Sequence, residues 1–98
     1  MASGTRNKSN MFVPKLLSNI SINDVIIPGI YLCSGNLSDS PDGNGHLIVI
    51  GNGTKAMIKQ IWIPYRTPGS NDNHIYTRGT VDGTTWGSWV KYEGVFVS

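Results

Sequence analysis

Gly45-His46-Leu47-Ile48-Val49-Ile50-Gly51-Asn52-Gly53 is the stretch that decides the fold. Leu47, Ile48, Val49 and Ile50 are apolar at every position, so a strand there carries apolar side chains on both pleat faces. Such a strand is covered on both sides, which requires a central place in a sheet or a cover from another subunit. Gly51-Asn52-Gly53 then supplies the positive φ angles of a tight hairpin. The chain returns through residues 56–65, where Met57, Lys59, Ile61, Ile63 and Tyr65 share one face and Ala56, Ile58, Gln60, Trp62 and Pro64 the other. Pro64 marks an edge or an exit, because it has no N–H to give to a ladder.

Outward from this hairpin, short apolar runs alternate with clusters of Gly, Asn, Asp, Ser and Pro at the spacing of strands and turns. Further strands are predicted over residues 29–33, 74–78 and 86–92, separated by the polar loops 34–44 and 66–73 and by the turn Asp82-Gly83-Thr84. The predicted fold is all-β, a small antiparallel meander or sandwich. Residues 11–27 are less regular and read as a short helical or extended segment: Leu16, Leu17 and Ile20 have the spacing of one or two helical turns, with Asn23-Asp24 as a stop or a fresh cap. A helix that short is marginal in water and needs packing partners, which neighbouring chains could supply.

The 98 residues suffice for one domain, and a chain of that size buries only roughly 60–65% of the surface its unfolded form exposes. The core is therefore thin, and oligomerisation would help it. Eight Lys/Arg against six Asp/Glu give a formal charge of +2, with the basic residues scattered from Arg6 to Lys91, so no nucleic-acid footprint is drawn. Cys33 is the only cysteine and lies in the apolar run Ile30-Tyr31-Leu32-Cys33, which predicts a buried free thiol. No run approaches the roughly 18 apolar residues that span a bilayer, so no membrane insertion is expected.

Chemistry-bearing constellations are sparse. Cys33 with His46 or His74 could form a nucleophile and base, but an apolar strand offers nothing to lower the thiol pKa. Asp24, Asp39, Asp42, Asp72, Asp82 and Glu93 fall mostly in turns, where Asp commonly bonds its own backbone rather than pairing for glycoside cleavage. His74 with Asp72 and His46 with Asp42 lack the ligand number of a metal site. The chain is thus expected to be no enzyme and to need no metal or cofactor.

The aromatic and arginine residues are better functional material. Trp62, Trp86 and Trp89 read as packing residues, with Trp86 and Trp89 on opposite faces of a regular strand because their spacing is odd. Tyr65, Arg66, Asn71, Asp72, Tyr76 and Arg78 form the predicted ligand-binding set: they lie in or beside the polar loop and combine flat surface with hydrogen-bonding groups. Arg66 and Arg78 each offer a fork to a phosphate or carboxylate of an envelope polymer.

Residues 22–92 carry a family resemblance. The matching features, in order, are Ile22-Asn23-Asp24-Val25-Ile26-Ile27-Pro28-Gly29-Ile30-Tyr31, Gly45-His46-Leu47-Ile48-Val49-Ile50, Gln60-Ile61-Trp62-Ile63-Pro64-Tyr65, Ile75-Tyr76-Thr77-Arg78 and Thr85-Trp86-Gly87-Ser88-Trp89-Val90. This pattern resembles the pyocin-knob family, found in distal parts of tail fibres of phages and phage-derived bacteriocins. The loop 66–73 is long for that family, and Val95-Phe96-Val97 follows the region where its pattern ends. The resemblance implies a homotrimeric knob at a virion tail-fibre tip, joined to the rest of the fibre and adsorbing to bacterial cell-wall or envelope polysaccharide. On that reading, residues 1–10 are a disordered leader, 11–27 an oligomerisation segment and 28–98 the knob. A purely structural role in registering three chains is the alternative.

Overall fold

The computed structural model describes residues 13–65 and 73–97. Six strands, β1 (Lys15–Ser18), β2 (Gly29–Ser34), β3 (Gly45–Ile50), β4 (Ile58–Pro64), β5 (His74–Thr80) and β6 (Val90–Glu93), form one sheet in chain order. β2 to β6 make the expected antiparallel meander, while β1 runs parallel to β2, with Leu16 beside Leu32 and Leu17 beside Cys33. The protein is therefore all-β with a mixed sheet, and among the described residues the strands make one sheet rather than a sandwich of two.

The segment 11–27, over its described residues 13–27, takes the extended alternative and not the helical one. Leu16 and Leu17 lie in a strand, where pairing with β2 satisfies backbone groups that a two-turn helix would leave half exposed. Among the described residues the only helical ones are the single 3-10 turn Ile22–Asp24, capped by Ser21 accepting from the Asn23 N–H at 3.2 Å. That turn belongs to the crossover which a parallel pair requires, and the crossover lies across one face of the sheet. Ile22 and Val25 on it are buried, with Ile22 fully so.

The covered face is built in cross-strand rows. Tyr31, Leu47, Trp62 and Tyr76 lie side by side across β2 to β5, and Val49, Gln60 and Arg78 form the next row. These rows, Cys33 and Ile58 meet Ile22 and Val25 from the crossover, while Leu37, Trp86 and Trp89 pack around the margin. Gly45 is needed where β3 meets β4: a Cβ there would come within 2.6 Å of the Ile63 carbonyl oxygen.

The opposite face has no such cover. Its rows are Leu16, Leu32, His46 and Ile63, then Ile30, Ile48, Ile61, Thr77 and Val90. Ile30, Ile50, Ile63, Ile75, Val90 and Tyr92 are exposed. The central place of β3 is as expected, but only Leu47 and Val49 are buried, since Ile48 and Ile50 face this open side.

The connections also differ in detail from expectation. The β3–β4 link spans residues 51–57 instead of a tight hairpin: Asn52 Oδ1 accepts from the backbone N–H and hydroxyl of Thr54, and Met57 takes a positive φ of 59° as its N–H reaches the Val81 carbonyl. At Asp82-Gly83-Thr84 the predicted turn is present. Backbone N–H groups of Thr85 and Thr84, at 2.7 and 2.8 Å, hold the Asp82 carboxyl far below the usual carboxylate range, and the Thr80 hydroxyl adds to this. The last strand starts at Val90, because residues 86–89 leave the ladder to fold over the covered face.

Trp62 is completely buried and its indole N–H donates to the Asp42 carbonyl at 3.1 Å, so it ties the loop 35–44 to the sheet. Trp62→Ala should lower unfolding free energy by about 3–5 kcal/mol in urea titrations, through a cavity plus an orphaned carbonyl.

Candidate functional site

Gln60 organises the candidate site. It sits in the middle of β4 with no exposed surface, and its side-chain amide donates to the carbonyls of Ile22 at 2.8 Å and Val25 at 3.0 Å. Its Oε1 accepts from Nε of Arg78, the residue directly across on β5, at 2.8 Å. A buried amide with these partners fixes the crossover against the sheet on one side and the arginine on the other.

Arg78 is 7% exposed, and its guanidinium carbon lies 4.4 Å from the ring centre of Trp86 and 4.2 Å from that of Trp89. Each contact of this kind contributes about 0.5–2 kcal/mol, more where water is excluded. Both indoles are in turn anchored to the cover: Trp86 Nε1 donates to the Asn23 carbonyl at 3.2 Å and Trp89 Nε1 to the Asp39 carbonyl at 3.1 Å. Burial draws the Arg78 pKa down to about 10, opposed by the attraction of Asp39, so the side chain remains a cation at neutral pH. Its Nη2 is buried and has no hydrogen-bond partner.

Asp39, Ser40, Arg78, Trp86, Ser88 and Trp89 enclose a shallow cleft of about 390 Å³ together with Gly87. Asp39 takes a positive φ of 64°, and its Oδ2 accepts from the Ser21 hydroxyl at 2.7 Å. Ser40 is held by its own loop, its hydroxyl donating to the Gly43 carbonyl at 2.7 Å and accepting from the Asp42 N–H. The site thus combines aromatic surface, a cation with spare donor capacity, and a carboxylate.

Other hollows are larger but chemically poorer. One of about 650 Å³ is lined by Met57, Lys59, Val81, Asp82 and neighbours, where one carboxylate oxygen is already bonded within its own turn. Another of about 520 Å³ lies between β1 and the crossover, where the Tyr31 hydroxyl is occupied by the Ile27 carbonyl. Convergent groups, not volume, select the Arg78 cleft.

The predicted ligand-binding residues are distributed as follows. Arg66, Asn71 and Asp72 lie outside the described residues. Tyr65 is exposed on the open face, edge-on to His46 with ring centres 5.3 Å apart. Tyr76 and Arg78 point to the covered face instead, and both are buried, contrary to the exposed arrangement expected of them. The Tyr76 hydroxyl donates to Asp42 Oδ2 at 3.3 Å. Tyr65 is therefore separated by the sheet from Tyr76 and Arg78.

Asp39, Trp86 and Trp89 were missed as partners of Arg78. The opposite-face expectation for the two tryptophans assumed a regular strand, whereas residues 86–89 leave the ladder after a bridge from Trp86 to Thr80, and both rings turn to Arg78. Gly87 and Ser88 between two tryptophans were the available signal that the backbone there is irregular.

Cys33 is a fully buried free thiol as expected, and burial pushes its pKa up to about 11. A thiol so disposed is a poor nucleophile at neutral pH. Among the described residues no group of three or more His, Cys, Asp or Glu is arranged to hold a metal ion. Among them, too, no helix is long and apolar enough to cross a membrane. No family model, curated protein or solved structure matches the chain.

Gln60→Leu keeps the side-chain bulk but strips partners from two carbonyls and from Arg78. The variant should lose about 2–4 kcal/mol of stability in denaturant titrations, with weakened protection of the crossover in hydrogen exchange.

Proposed function

We propose that the chain is a receptor-binding tip domain of a phage-type tail fibre, adsorbing as a homotrimer to a glycan of the bacterial envelope without cleaving it. The observation that carries this reading is the cleft around Arg78. A sugar ring can set its apolar C–H face on an indole while its hydroxyls meet Asp39 and Ser88, and the weak individual contacts add up when several copies share one rigid fibre end. The sequence resemblance to pyocin-knob domains supports the same class of function. With the thiol buried and the Asp82 carboxylate bonded in its own turn, the reading needs no acid, base or nucleophile.

A structural role in fibre assembly is favoured by a different observation, the uncovered apolar sheet face. Rows of Ile, Val and Leu across β1 to β6 match the inner face of a packed sheet, and a second and third copy of the chain are the occupants that fibre symmetry would bring. The two roles are compatible, since they use opposite faces.

Fluorescently labelled protein should bind cells and purified envelope glycan of a host strain saturably. Ser88→Trp, which fills the mouth of the cleft from an exposed position, should reduce that binding at least tenfold with an unchanged melting temperature. Equal binding by the variant would remove the cleft from the proposal, and absence of binding to any envelope fraction would leave only the structural role. Light scattering provides a separate check: Ile61→Lys on the open face should convert a trimer to a monomer, and a monomeric parent protein would contradict the assembly.

A further inference from the structure

Arg78 is the one buried charged side chain among the described residues, and no carboxylate among them forms an ion pair with it. A buried cation is ordinarily met by an anion, because desolvation is costly without one. Here its Nε is taken by Gln60 and its flat surface by two indoles, while Nη2 has no partner and the side chain lines an open cleft. The missing element is an oxygen acceptor, most favourably an anionic one, delivered by a molecule that can also lie against an indole.

Asp39 narrows the choice. It lines the same cleft and its charge already attracts Arg78, so a ligand group with two negative charges meets more repulsion there than one with a single charge. A planar carboxylate also matches the end of a guanidinium better than a bulkier tetrahedral anion in so shallow a cleft. A sugar acid carries both required features on one ring: the C–H face for the indole and one carboxylate for the arginine.

We infer that the Trp86–Arg78–Trp89 cleft binds a hexuronic acid residue of an acidic polysaccharide, with the carboxylate on Arg78 and the ring against an indole. This rests on the glycan-adsorption reading and adds the ligand's chemical class. In it, Asp39 acts against affinity and in favour of discrimination, holding off more highly charged groups.

The test uses the full chain labelled with ¹⁵N, following the indole N–H signals of Trp86 and Trp89 in titrations with four probes. These are the methyl glycosides of glucuronic and galacturonic acid and of their neutral parents, glucose and galactose. At least one uronide should shift both signals at a concentration tenfold or more below that needed by its parent. Asp39→Asn should raise the ratio of uronide to neutral-sugar affinity two- to fivefold; asparagine also adopts the positive φ of this position, so the loop is retained. Equal response to uronide and parent, or a ratio no higher in Asp39→Asn, overturns the inference and leaves glycan adsorption standing. Failure of all four probes to move either signal, while the protein still adsorbs to cells, also overturns the inference alone. The same failure in a protein that adsorbs to no envelope fraction overturns both.

Discussion

The buried amide of Gln60 is the interaction on which the rest depends. A sheet with one covered face needs something to hold the cover, and here the cover is irregular chain rather than a helix or a second sheet. Irregular chain brings backbone carbonyls to a dry interface, where each unpaired one costs about 1–3 kcal/mol. Gln60 satisfies two of them, on Ile22 and Val25, and spends its remaining acceptor on Arg78. One side chain thereby fixes the crossover, closes the core over Ile22 and aims the guanidinium at the tryptophans.

From that constraint follow two faces of different character. The covered face is specified by polar contacts as much as by packing, since Gln60, Arg78 and Thr80 are buried among the apolar rows. Such networks define a single arrangement when they are fully bonded; here Nη2 of Arg78 is buried without a partner, and Arg78 is also a residue that lines the cleft. The open face has the reverse character, rich in aliphatic side chains and poor in directional bonds. It suits burial against large complementary surfaces, whereas the cleft suits a small polar ligand.

Most of the sheet was legible because its signals are local. Apolar runs at 29–33, 46–50 and 74–78, set off by Gly, Asn and Asp, fall within β2, β3 and β5. β1 was not legible as a strand, because its parallel pairing is with residues across a crossover and leaves no turn signature. The site was legible only at Arg78. Its partner Gln60 lies 18 positions away, Asp39 is farther still, and Asn23, which anchors Trp86, is 63 positions from it. Strand alternation puts Tyr76 and Arg78 on one face, but which face the crossover would cover is a tertiary outcome. Gln60 illustrates the limit: in sequence it is a polar residue on a mixed strand, and its meaning comes from two carbonyls far upstream.

On the proposed reading, a glycan binds in the Arg78 cleft and not on the open face or near Tyr65. Chemical-shift mapping of the ¹⁵N-labelled chain with fragments of envelope polysaccharide tests it most directly. Perturbations are expected to concentrate at Asp39, Ser40, Arg78 and residues 86–89, with little change at Tyr65, His46 or Ile61. Perturbations gathered on those last residues, with the cleft unaffected, would contradict it.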